Sequence, residues 1–193
     1  MQANLSPAAR KIVSNTAITS FLFAALLAFF FTIDISTIVI VLSILISLFG
    51  LYLLWLLKES DAVSLLVFFF GTTACFFLFS EVIIVDWLRA LSVLIFAILA
   101  FVLSNYLINL TPGFVGEGAI LYKIALAIIF TEVFWVISFF TASQISKGAI
   151  TALLFFNFLF PLRDIMGGKF SVQKFAFLTI INIILLVVVF IKI

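Results

Sequence analysis

The stretch Thr37 to Leu57 reads TIVIVLSILISLFGLYLLWLL, without a single charged residue. As a helix rising about 1.5 Å per residue it covers roughly 30 Å, which is the thickness of a bilayer's hydrocarbon core. Its small residues Ser43, Ser47 and Gly50 follow one another turn by turn, a spacing that lets a second helix approach closely. A segment of this length and composition is read as a transmembrane helix.

Outward from that stretch the same pattern repeats. The 193 residues are 67% hydrophobic and 9% charged, whereas a soluble domain carries about 25% charged residues. A chain this short buries only about 70% of the surface it exposes when unfolded, too little to hide so much apolar area from water. The solvent must be lipid. Further runs of spanning character lie at Ile12 to Phe31, Ala62 to Ser80, Trp87 to Leu107, Ala119 to Phe140, Lys147 to Leu162 and Lys174 to Ile193. The sequence thus predicts an all-α bundle of seven spans. Six is the alternative, because Lys147 to Leu162 is short and meets Pro161. Spans of about 20 residues leave only about 53 for loops and tails. The expectation is therefore a single transmembrane domain over 1–193, with no extramembrane domain.

Local chemistry marks the helix ends. Ser6-Pro7 is a cap followed by proline at the first helical position, and Ser60-Asp61, Asp86 and Ser171 are further caps. Asn109-Leu110-Thr111-Pro112-Gly113, followed by Gly116 and Gly118, is the clearest break. Its glycosylation sequon is attributed to chance, given the proline that follows. Arg10 and Lys11 precede an apolar run too long for a signal peptide and without a small-residue cleavage pattern, so the first helix is expected to be retained. Positive residues resist translocation. An inside N-terminus puts Arg10, Lys11, Lys58, Lys123, Arg163, Lys169 and Lys174 on the inner face, against Arg89, Lys147 and Lys192 outside. The predicted topology is N-in and C-out, in a multi-pass protein of the cell membrane.

Missing residues exclude chemistry. Without histidine the chain has no imidazole ligand for haem or zinc and no base for a Ser-His or Cys-His pair. Cys75, the one cysteine, has no partner for a disulfide and is read as an apolar filler. A retinal-binding bundle needs a lysine near the middle of helix seven, where Lys174 and Lys192 stand only at the ends. Glu81 and Asp86 are expected to be solvated interfacial charges, and Arg163-Asp164 a loop ion pair. A net charge of +2 is too small and dispersed for nucleic-acid binding. No enzyme, metal or cofactor is expected.

One charge stands inside the hydrocarbon. Glu132 lies in Ile128-Ile129-Phe130-Thr131-Glu132-Val133-Phe134-Trp135, near the middle of helix five. An ionised carboxylate at that depth costs about 3 kcal/mol on insertion scales, so it must be protonated, paired or wetted. Ser47, Thr72, Thr73, Asn157 and Asn182 fall at matching depth, and their convergence on Glu132 would form a neutral polar cluster inside the bundle. Two functions follow. The first is a non-enzymatic structural or assembly component that packs with lipids or other membrane subunits, with Glu132 as a hydrogen-bond anchor. The alternative is a small carrier for a proton, cation or lipid-like substrate that uses Glu132, with Asn157 and Asn182 orienting the cargo and Trp135 as a wall.

Small residues also suggest how helices pair. Ser20, Ala24 and Ala28 are expected to face Ser43, Ser47 and Gly50 across the first hairpin. Helix seven, apolar apart from Thr179 and Asn182, is placed at the periphery. The 27 phenylalanines suit lipid contact better than an aqueous channel, and Trp55, Trp87 and Tyr122 suit interfacial anchoring.

Overall fold

A computed structural model describes residues 7–32, 37–57, 61–81, 86–109 and 117–166, together with the helical positions Val172, Ala176 and Ile180. The described residues form α1 (Pro7–Thr32), α2 (Thr37–Tyr52), α3 (Asp61–Glu81), α4 (Asp86–Asn109), α5 (Glu117–Ser138) and α6 (Gln144–Met166), and no strand occurs among them. A π-helical turn, Leu53–Leu57, continues α2; Leu54 is buried in it while Trp55 and Leu56 face outward.

All six helices are long and apolar enough to cross a membrane, over Ile12–Phe31, Val39–Leu56, Asp61–Ser80, Arg89–Ile108, Gly118–Ser138 and Gln144–Ile165. Their outward surfaces carry Leu45, Phe49, Leu94, Ile98, Leu121 and Ile128, each more than half exposed. Such a surface belongs in hydrocarbon, not water. The sixth has the length of a full span. Pro161 cannot donate to the carbonyl of Asn157, yet the helix runs on to Met166. Arg163 and Asp164, expected in a loop, sit instead near the end of this helix, with the Arg163 guanidinium 5.2 Å from the Phe160 ring centre. The expected seventh span falls almost wholly outside the described residues, as does the cap at Ser171.

The chain divides into two compact units at Gly71, within α3. In the first, α1 buries Ile18, Leu22, Ala25, Leu26 and Phe29, and Phe29 packs 5.0 Å from Phe70 between ring centres. This corrects the expected facing stripes. Ser20, Ala24 and Ala28 are exposed, and the larger side chains take the inner face because dispersion, summed over many atoms, is what separates a protein neighbour from lipid. The α2 stripe is buried as expected, and its Gly50 lies against α3. A methyl group on Gly50 would lie 2.7 Å from Leu66 Cδ1.

In the second unit the core is aromatic. Phe134 of α5 lies stacked between Phe76 of α3 and Phe96 of α4, with ring centres 4.3 and 4.4 Å away. Phe130 meets Phe155 of α6 edge-on at 4.8 Å. A short turn joins α5 to α6. Ser143 Oγ accepts the Ser146 amide at 3.1 Å, capping α6 four residues before the expected start at Lys147.

Candidate functional site on the seam of α4 and α5

Helices α4 and α5 flank the Asn109–Gly118 break and pack antiparallel. Lys123 Nζ donates to Asn105 Oδ1 at 2.8 Å near the break, and Phe96 stacks on Phe134 farther along. From beside that bond to just past the stacked rings, the seam opens outward into a groove of about 400 Å³. Val93, Ala97 and Phe101 form its α4 wall, one helical turn apart. Its α5 wall carries Ile124, Ile128, Thr131 and Trp135 around Glu132.

Glu132 is exposed. The neighbouring buried residues explain its direction: Phe130 and Phe134 face the interior, and residues two apart on a helix point to opposite sides. Thr131 is the one other polar side chain lining the groove besides the Trp135 indole, and its hydroxyl donates to the Ala127 carbonyl at 2.6 Å. The largely apolar wall around the carboxyl thus holds no charged donor.

Three of the other residues expected around Glu132 lie off the groove. Thr72 and Thr73 are fully buried on α3, and Asn157 is half-buried on α6; none of the three lines the groove. Thr72 Oγ1 has no hydrogen-bond partner, while Thr73 lies against Gly148. Ser47 is in the first unit, buried, with its hydroxyl donating to the Ser43 carbonyl at 2.8 Å. Asn182 lies outside the described residues, and so do the side chains of Glu81 and Asp86. Trp135, expected as a wall beside Glu132, does line the groove, and its ring meets Phe79 edge-on at 5.7 Å.

The polar bonds not foreseen from the sequence include three that join one helix to another. The first is the Lys123–Asn105 bond, in which the lysine is only 7% exposed. A signal for it existed, because residues about equally far from a hairpin break meet across an antiparallel pair. The second is Lys147, 6% exposed, whose Nζ donates to the Ser138 carbonyl at 2.9 Å and so caps the C-terminus of α5. The third is Gln144 Nε2, donating to Ser80 Oγ at 2.8 Å between α6 and α3. Arg89 sets its guanidinium 5.7 Å from the Phe79 ring centre. Among the described residues no three His, Cys, Asp or Glu side chains gather as a metal site.

No family model, curated protein or solved structure matches this chain.

Proposed function

We propose that this chain is a non-enzymatic component of the cell membrane, N-in and C-out with seven spans, whose role is to pack against another membrane subunit or lipid through the α4–α5 seam. The observation that carries the reading is the outward placement of Glu132 in an apolar groove. Lipid tails supply no hydrogen bonds and the lining holds no cation, so an ionised carboxyl at this depth requires a charged donor from outside the wall that holds it. A carrier would place the same group on a polar path through the bundle. Glu132 instead sits on the side of α5 away from the stacked Phe76, Phe134 and Phe96.

The test is photo-crosslinking in the native membrane. A photoreactive residue at Ile128, on the groove, should give a discrete protein adduct that Ala97→Trp, which fills the groove, removes. The same residue at Leu48 on α2 should give none. Lipid adducts alone at Ile128 would rule out a subunit partner, and proton flux in vesicles that is lost in Glu132→Gln would establish the carrier instead.

A further inference from the structure

We infer that the occupant of the α4–α5 groove is a transmembrane helix of a different subunit, bearing a lysine or arginine at the depth of Glu132. The inference rests on the assembly role proposed above and names the partner's chemistry.

The groove is a concave seam, walled by Val93, Ala97 and Phe101 on one side and by the exposed stripe of α5 on the other. A turn-by-turn wall of this kind accepts the side chains of another helix. Ala97 and Ala127, both on the lining, keep it deep. Among the described residues, Glu132 is the only ionisable group on the wall, and Thr131 is already bonded to its own helix. Complementarity therefore asks the occupant for a donor, and ionisable groups inside membranes characteristically pair with one another.

Depth excludes the headgroup of a lipid as that donor. Glu132 is six residues before Ser138, the end of α5, which places it about 9 Å along the helix from that end. A basic side chain on a second helix reaches this level directly, its apolar stem lying along the seam.

Among the described residues, a second copy of this chain offers no ready cation at that depth. Lys123 and Lys147, inside the described spans, are each more than nine-tenths enclosed and already bonded, to Asn105 and to the Ser138 carbonyl. Arg89 and Arg163 stand at span ends, over Phe79 and Phe160. A homodimer across the seam would bring one carboxyl toward another rather than toward a cation.

The experiment uses the full chain, fluorescently labelled, in phosphatidylcholine vesicles. The probe is a synthetic Leu-Ala transmembrane helix with one lysine six residues from an end, compared by energy transfer with the same helix carrying leucine there. The lysine helix should associate about tenfold more tightly. Glu132→Leu should reduce it to the level of the leucine helix, with the helical circular-dichroism signal unchanged. Equal binding of the two helices, abolished by Ala97→Trp, would overturn the cation while leaving the groove as a docking face. Equal binding that Ala97→Trp does not affect would overturn both. Energy transfer between two copies of the chain without any helix, abolished by Ala97→Trp, would overturn the inference in favour of self-association.

Discussion

Gly148 of α6 lies directly against Thr73 of α3: a methyl group added to the glycine would collide with the Thr73 hydroxyl and come within 3.2 Å of its backbone. Backbone cannot retreat as a flexible side chain can. Gly148→Ala should therefore destabilise the protein by about 1–3 kcal/mol, the usual cost of overpacking. Thermal unfolding in detergent checks this, and adding Thr73→Ala should recover only part of the loss, because the main chain of α3 stays equally close.

The stacked rings should be far less tolerant than the lipid-facing ones. Truncating Phe134 removes both faces of the Phe76–Phe134–Phe96 sandwich at once. Phe134→Ala should cost about 3–5 kcal/mol, with Phe134→Leu milder. Phe31, which is 86% exposed, should tolerate alanine with no measurable change in melting temperature.

Lys123 and Asn105 should respond unequally to substitution. Asn105→Leu takes a polar partner from an ammonium enclosed within the span and should cost about 1–3 kcal/mol. Lys123→Met removes the charge together with the need to solvate it and should cost less. The comparison is again thermal unfolding, with the double variant expected near Lys123→Met alone.

Reporter domains fused at the two termini should read out in opposite compartments, with the N-terminal one inside. Readout from the same compartment would set the number of spans at an even value.

Much of the fold was legible in the sequence because lipid imposes a length rule on every span. The start of α1 at Pro7 and of α3 at Asp61 followed from capping chemistry, and the break at Pro112-Gly113 separated α4 from α5. The facing of helices was less legible. In a soluble protein the apolar side of a helix turns inward, but here both sides are apolar, so hydropathy alone could not orient α5. Depth matching put Glu132 level with Thr72, Thr73 and Asn157, yet depth fixes only one coordinate. Rotation about the helix axis was set by Phe130 and Phe134, whose packing against other rings the sequence did not reveal. Lys147 was assigned to an interface on charge alone, and its bond to the Ser138 carbonyl depends on the tightness of the α5–α6 turn.

Cys75 is free and 2% exposed. Its thiol is enclosed, so the chain should serve as a cysteine-less background for aqueous labelling. A cysteine introduced at Ile128 or Leu48 would be the one thiol open to a maleimide or spin label, and two such cysteines placed in one unit would report a distance within it without first replacing Cys75.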